Sequence, residues 1–154
     1  MRAEGLILLQ VALAALLGGI IGAEREYGGK AAGLRTHMLV SAAAALLMNL
    51  GFLLAARLPG SVDPSRITQA IVTGISFLGA GTIIFHKKEG IVEGLTTAAS
   101  VFMVAAIGMT VALGAYFLAV GVTFGAILIL VGASRLERRF VATRNDPDEE
   151  STDD

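Results

Sequence analysis

The chain of 154 residues contains no cysteine, no tryptophan and only three prolines. The absence of cysteine excludes disulfide bonds, thiolate catalysis and cysteine-ligated metal sites. Charge is also scarce, because charged residues make up 16% of the chain, whereas soluble domains usually carry about 25%. Hydrophobic residues reach 55%, and the mean hydropathy is +0.73. A water-soluble enzyme is therefore not expected.

The few charges are distributed unevenly. Six of the thirteen acids lie in the last nine residues, so residues 144–154 are predicted to form a disordered acidic tail. Residues 1–143 hold eleven Lys or Arg against seven Asp or Glu, a net charge of +4, and are predicted to form an integral membrane domain. The basic residues are scattered between apolar runs and form no stripe, so nucleic-acid binding is not expected.

Uncharged apolar runs recur along the chain at the length of a membrane span, which is about 20 residues. The run of 41 uncharged residues from Gly94 to Ser134 is about twice that length and must turn back, most naturally near 108–115. The first run is longer than the apolar region of a cleaved signal peptide. The sequence therefore predicts an all-α membrane protein with five transmembrane helices, at about 6–23, 38–56, 67–85, 94–110 and 115–133.

The basic residues of the short loops predict the orientation, because cytoplasmic loops carry an excess of Lys and Arg. With five spans, nine basic residues lie on one side: Arg25, Lys30, Arg35, Lys87, Lys88, Arg135, Arg138, Arg139 and Arg144. Only three lie on the other side: Arg2, Arg57 and Arg66. We therefore expect the N-terminus outside and the C-terminus in the cytoplasm.

A shift of 61 residues reveals a weak internal similarity. It aligns Gly33–Thr36 with Gly94–Thr97, and Gly18 with Gly79. This favours a parallel repeat of spans one and two in spans three and four. Chance is the alternative, because glycine, leucine, alanine and threonine are abundant in any membrane helix.

Small residues at four-residue spacing predict where the spans pack closely. Gly18 and Gly22 have this spacing in the first span, and Gly121 and Gly125 have it in the fifth. The third span also carries small residues, including Gly79 and Gly81. We expect the third and fourth spans to be the most buried, and an unwound ion-binding segment is the alternative role of Gly79 and Gly81. Polar residues within the spans are expected to hydrogen-bond across helices. They are Asn49, Gln69, Thr73, Ser76, Thr82 and Ser100.

The remaining charges gather at the predicted cytoplasmic ends of the spans, whereas ion pathways usually carry ionisable groups inside the membrane. Glu24 and Glu26 follow the first span, where the helix dipole disfavours acids, so we expect a cation beside them. Arg35 is the first candidate and Arg25 the second. Hydroxyls at Thr36, Thr96 and Thr97 are expected to satisfy backbone N–H groups at helix starts.

Two interpretations of this charged rim stay open. It is either a salt-bridged edge that fixes the topology, or a site for a cation or a partner protein. Such a site would contain Glu24, Glu26, Arg35, His37 and the helix start at Gly94–Thr97. No specific metal ligation is predicted, since two glutamates flanked by arginines lack net negative charge. No cofactor is predicted either, because the chain has no Walker loop, no Rossmann glycine pattern and no nucleophile with a paired base.

Four segments follow one another along the chain: Ile21–Glu26, Ala32–Val40, Gly74–Gly81 and Gly94–Ala99. Together they resemble the signature blocks of the MgtC/SapB family of bacterial inner-membrane proteins. The resemblance implies a multi-pass plasma-membrane protein with an external N-terminus. It also implies a link to growth in low magnesium and to the survival of pathogens in host cells.

Family members look like non-enzymatic modulators of larger membrane complexes such as the ATP synthase or a cation transporter. A larger membrane complex and membrane lipid are thus the expected partners, with a homo-oligomer as a further one. A small oligomeric channel or carrier for Mg²⁺ or another cation is the alternative. Many members carry a soluble C-terminal domain, in whose place we expect only a basic stop and the acidic tail.

The resemblance also implies functional residues: Glu24, Arg25, Glu26, Arg35, Thr36, His37, Gly79, Gly81, Gly94, Thr96 and Thr97. Two positions depart from the family pattern. Glu93 stands where a basic residue is usual, which reverses the local charge, and Ser76 replaces a usual glycine. A partner contact made at Glu93 in the family is therefore not expected to transfer.

Overall fold

The computed structural model describes residues 2–58, 60, 63–86 and 91–144. Within these ranges the chain forms five α-helices and one antiparallel β-hairpin. The helices are α1 (Arg2–Tyr27), α2 (Leu34–Arg57), α3 (Pro64–Gly81), α4 (Leu95–Ala112) and α5 (Tyr116–Arg144). The all-α fold is thereby confirmed. The predicted acidic tail lies outside the described residues, apart from Arg144.

Among the described residues, four helices are long and apolar enough to cross a membrane, namely α1, α2, α4 and α5. The 18-residue α3 is more polar, but it connects the end of α2 to the start of α4. Gly51 of α2 lies against Ile67 near one end of α3, and Gly79 lies against Ala98 of α4 near the other. An 18-residue helix is about 27 Å long. The α3 helix therefore runs across the same thickness as its neighbours.

The core lies where α1, α2 and α4 meet. Its fully buried apolar residues include Ala14, Ile21, Ala45, Val104, Ile107 and Val111. Backbones approach closely at Gly18, where an added Cβ would lie 2.6 Å from the His37 carbonyl oxygen. At Gly108 an added Cβ would overlap the Ser41 carbonyl oxygen. Ser41 of α2 is thus held between two glycines, one on α1 and one on α4.

The predicted third span, 67–85, differs from the structure at its end. The α3 helix stops at Gly81, and a hairpin of β1 (Ile84–His86) and β2 (Ile91–Glu93) follows. Ile84 pairs with Glu93 in the ladder. Gly94 then adopts φ +89°, and an added Cβ there would overlap the Thr82 carbonyl oxygen. Apolarity alone could not reveal this hairpin, because strand and helix tolerate the same short apolar run.

Helix starts are capped differently from the prediction. Glycines, not threonines, occupy the N-cap positions of α2 and α4, and neither Gly33 nor Gly94 has a side-chain cap. The expected capping by threonine hydroxyls is therefore wrong. The α3 helix is capped by Asp63, which accepts a hydrogen bond from the Ser65 N–H at 2.8 Å. Hydrogen bonds from Ser65 to the carboxylate lower the pKa of Asp63.

Matching contacts in two helical hairpins support the parallel repeat. In α1–α2, the Cβ position of Gly18 meets His37. In α3–α4, the Cβ position of Gly79 meets Ala98, 3.6 Å from its Cβ. Both residues of the second pair lie 61 positions after those of the first. The two hairpins therefore share a packing register as well as a sequence pattern.

The burial of the third span is lower than expected. Only Ile71 and Gly79 of α3 are buried, whereas nine residues of α4 are. The expectation is thus correct for the fourth span and wrong for the third, because α3 contacts its neighbours along one side only. The opposite side of α3 is exposed.

The close approach at Gly108 predicts a sharp cost for one methyl group. Gly108→Ala should lower the free energy of unfolding by about 1–3 kcal/mol, because the Ser41 carbonyl is rigid backbone. Thermal unfolding in mild detergent measures this loss. The control is Gly132→Ala in α5, which has nothing within 4 Å of the added Cβ. Equal unfolding temperatures for both variants would contradict the packing described here.

Candidate functional site

A buried polar cluster lies at the end of the molecule where α1 ends and α2 and α4 begin. We call this end the rim end. The cluster consists of Arg25, His37, Ser41, Thr97 and Ser100. Each is at most 4% exposed, although all lie within about three turns of a helix end. Polar groups buried this deeply cost free energy unless they are hydrogen-bonded.

Helix periodicity explains why Arg25 is buried. Ala14, Leu17, Ile21 and Arg25 recur at three- and four-residue intervals, which places them on one face of α1. The first three form part of the apolar core. Arg25 continues that face to the rim end, so its side chain enters the interior.

His37 connects two helices of the cluster. Its Nδ1 lies 2.9 Å from the Gly33 carbonyl oxygen and its Nε2 lies 3.0 Å from the Ser100 hydroxyl oxygen. Since a carbonyl oxygen only accepts, Nδ1 carries the hydrogen in this bond. In the neutral ring, Nε2 therefore accepts from Ser100. That hydroxyl also lies 2.8 Å from the Thr97 carbonyl oxygen, so one hydrogen serves two acceptors.

Arg25 is only partly satisfied. Its Nη1 lies 3.3 Å from Oε2 of Glu24, which makes an ion pair with the neighbouring residue. The Nε atom of Arg25 and the Oγ atom of Ser41 are buried with no hydrogen-bond partner among the described residues. An unpaired buried donor costs about 1–3 kcal/mol. These two atoms are thus the points of the cluster at which a further polar group would bind most favourably.

The other predicted rim residues lie outside the cluster. Glu26 is exposed, and its Oε2 accepts a hydrogen bond from the Leu34 N–H at 2.8 Å. Glu26 therefore supports the start of α2. The cation expected beside the two glutamates is Arg25, beside Glu24, and not Arg35. Arg35 is exposed and makes no ion pair with any described residue.

The two rim threonines Thr36 and Thr96 are also exposed, whereas Thr97 is buried. The structure therefore divides the predicted site in two. One part is the buried cluster around His37. The other is an exposed surface with Arg35, Thr36 and Thr96, which is open to a partner.

The predicted glycines fall into three groups. Gly18 and Gly22 lie against α2, and an added Cβ on Gly22 would lie 2.8 Å from His37 Cβ. Gly79 makes an ordinary contact with α4, while Gly81 ends α3 with nothing within 4 Å.

The alternative role of Gly79 and Gly81 as an unwound segment is wrong, since both residues are helical. Gly121 and Gly125 of α5 have nothing within 4 Å of their Cβ positions. Any contact made there requires another molecule.

Sequence analysis missed three buried polar residues, Gln10, Ser41 and Thr123. Gln10 of α1 donates through Nε2 to the Val111 carbonyl oxygen at 3.1 Å and the Tyr116 hydroxyl at 3.0 Å. It thus connects α1 to the turn between α4 and α5. Gln10 could have been noticed as the lone amide in the first apolar run. Ser41 carries no such signal, because serine is common in membrane helices.

The described residues contain no group of three or more His, Asp or Glu that could hold a metal ion. The cluster offers hydrogen-bond donors and one guanidinium instead. Its chemistry is that of recognition: it can bind an acceptor oxygen at Arg25 or Ser41, and the ring of His37 is oriented at both nitrogens.

Removal of the Ser100 hydroxyl tests whether the cluster stabilises the helix junction. Ser100→Ala leaves Nε2 of His37 buried without its partner, so the free energy of unfolding should fall by about 1–3 kcal/mol. Ser134→Ala is the matched control, because Ser134 bonds only its own helix and is exposed. Unfolding temperatures in mild detergent distinguish the two. An unchanged Ser100→Ala variant would mean that the His37 bond contributes nothing.

A sequence profile of the MgtC family matches residues 11–139. YhiD of Escherichia coli (strain K12) is 41% identical over 128 residues, covering 80% of this chain and 57% of YhiD. Protein MgtC of Salmonella typhimurium (strain LT2) is 39% identical over 136 residues, covering 85% of this chain and 55% of that protein. An uncharacterised protein of Haemophilus influenzae is 36% identical over 141 residues, covering 88% and 58%.

The chain thus spans little more than half the length of these relatives. No solved structure matches it significantly. The family profile nevertheless covers most of the chain, including every helix of the core. The chain therefore belongs to the MgtC family and is a multi-pass membrane protein.

Proposed function

We propose that this protein modulates a larger membrane complex, an ATP synthase or a cation transporter, during adaptation to low magnesium, and that it does so without catalysing a reaction. The link to magnesium rests on the family and on YhiD, whose name describes it as a candidate magnesium transporter. The N-terminus lies outside and the rim end faces the cytoplasm, in agreement with the distribution of basic residues.

The exposure of α5 is the observation that carries this proposal. Only 11% of its membrane-crossing segment is buried, against 39–50% for the other three apolar helices. Gly121 and Gly125 leave a small-residue surface on α5, and Phe117 and Phe124 stand beside it, 97% and 64% exposed. Glycines permit close backbone approach between membrane helices. A helix of a partner complex could pack closely against the two glycines and contact the aromatic rings beside them.

The rim end supplies the second contact. Arg35, Thr36 and Thr96 are exposed there beside the buried cluster. A cytoplasmic segment of the partner could bind Arg35 electrostatically and hydrogen-bond the exposed hydroxyls of Thr36 and Thr96. The α5 surface then anchors the partner, and the rim end responds to it. Binding at two points would also make the interaction tighter than either contact alone.

Filling the glycine surface tests the proposal. We expect a stoichiometric partner to co-purify with the protein from native membranes in mild detergent, and to be lost from the Gly121→Leu/Gly125→Leu variant. Ala133→Leu is the control, because it adds similar bulk at an exposed position of α5 that lies about two turns beyond Gly125. Recovery of the wild-type protein alone, after crosslinking in intact membranes, would contradict the proposal.

A cation channel or carrier is the second candidate, and one observation favours it. The exposed side of α3 carries the polar residues Gln69, Thr73 and Ser76, which could line a path between assembled copies. Purified protein in liposomes loaded with a Mg²⁺-sensitive dye decides between the two functions. We expect no flux above empty liposomes. Sustained flux that Thr73→Leu abolishes, with the variant still folded, would establish transport in place of modulation.

A further inference from the structure

One face of α3 is polar and exposed. Gln69, Thr73 and Ser76 follow one another at four- and three-residue intervals, so they share a face of the helix, and Ala80 continues it. All four residues are exposed. The face is small as well as polar, since three of its four side chains are threonine, serine or alanine. We call these four residues the α3 polar face.

The hydrogen-bonding groups of this face are unevenly satisfied. The Thr73 hydroxyl donates to the Gln69 carbonyl oxygen at 2.9 Å, and the Ser76 hydroxyl donates to the Val72 carbonyl oxygen at 2.8 Å. Both hydroxyl oxygens therefore remain free to accept. No described residue hydrogen-bonds the side-chain amide of Gln69, which offers two donors and one acceptor. The bonds across helices that were expected of Gln69, Thr73 and Ser76 are thus not made within one chain.

Lipid is a poor environment for these groups. Thr73 and Ser76 lie about 14 and 18 Å along α3 from its first residue, which is the middle of a membrane. Hydrocarbon offers no hydrogen bonds, so polar groups within the membrane generally face protein or water. The side-chain amide of Gln69, which no described residue hydrogen-bonds, is the group of this face that most favours a polar cover.

We infer that the α3 polar face packs against the same face of a second copy of this chain. Copies inserted with the same topology are related by a twofold axis along the membrane normal, which sets two α3 helices side by side with each residue facing its counterpart. An amide is both donor and acceptor, so Gln69 can pair with Gln69 of the other copy. Its second donor can reach a free hydroxyl oxygen. The face is thus complementary to itself.

The charges at the start of α3 do not oppose this arrangement. Arg66 continues this face one turn before Gln69, but it lies at the exposed helix start, where water and salt screen its charge from that of the second copy. Asp63, the N-cap of α3, adds a negative charge at the same end. Each copy therefore brings a cation together with an anion. The small side chains at Thr73, Ser76 and Ala80 permit the backbones to approach further along the helix. This inference concerns α3 and stands independently of the proposed partner at α5.

Because these 154 residues contain no cysteine, single cysteines can be introduced into the chain and tested in native membranes. Single substitutions Thr73→Cys and Ser76→Cys should give a disulfide-linked dimer on mild oxidation, seen on a non-reducing gel. The controls are Leu9→Cys on α1 and Phe117→Cys on α5, which are 69% and 97% exposed but lie off the α3 polar face. We expect crosslinking at the two α3 positions to exceed both controls at least several-fold.

A second variant tests whether the paired Gln69 amides hold the two copies together. Gln69→Leu, added to Thr73→Cys, should reduce the crosslinked fraction about threefold to tenfold, the range expected for hydrogen bonds between membrane helices. Unchanged crosslinking would contradict the proposed pairing of Gln69 with Gln69 of the second copy. Stronger crosslinking at Phe117 than on α3 would place the interface on α5.

Two outcomes without crosslinking would also overturn the inference. Reaction of Thr73→Cys with a membrane-impermeant maleimide would mean that α3 faces water instead of a second copy. Neither crosslinking nor labelling, in a protein that still unfolds cooperatively, would mean that the α3 polar face is covered by lipid.

Discussion

The close approach of three backbones around Ser41 is the contact on which the rest of the structure depends. Lipid tails are as apolar as leucine, so helices in a membrane gain little from burying apolar surface against each other and rely on close packing. Gly18 on α1 and Gly108 on α4 provide it, because neither has a side chain to hold the α2 backbone away. The remaining helices pack around this junction, α3 against α2 and α4, and α5 against α4 and α1.

The same approach creates the buried polar cluster. Once α1, α2 and α4 meet at Ser41, the side chains one or two turns nearer the rim end are removed from water as well. His37 then finds its partners inside the protein, at Gly33 and Ser100. Arg25 does so only in part. Packing at glycines therefore leads to a desolvated guanidinium near the surface, and so to a place where a partner can act on the core.

The sequence predicted the helices well, because apolar runs of the required length admit few other structures in a membrane. It could not predict which polar residues meet. Arg35 lies nearer to the glutamates along the returning loop, yet the phase of α1 places Arg25 in the interior beside Glu24. The hydroxyls of Thr73 and Ser76 were expected to bridge helices, but they donate to carbonyls of their own helix. Such a bond forms without any particular placement of a neighbouring helix. Ser100 bridges because it faces His37.

The two proposed surfaces lie on different sides of the molecule and differ in chemistry. The α3 helix packs on α2 and α4, whereas α5 packs on α4 and α1, so the two exposed faces flank the core. The α3 polar face favours a polar cover, and its complementarity to itself favours a second copy. The α5 surface is apolar apart from its glycines, so it stays stable in lipid until a partner helix displaces the lipid. A dimer through α3 would therefore leave both α5 surfaces free, and one assembly could bind two partner helices at once.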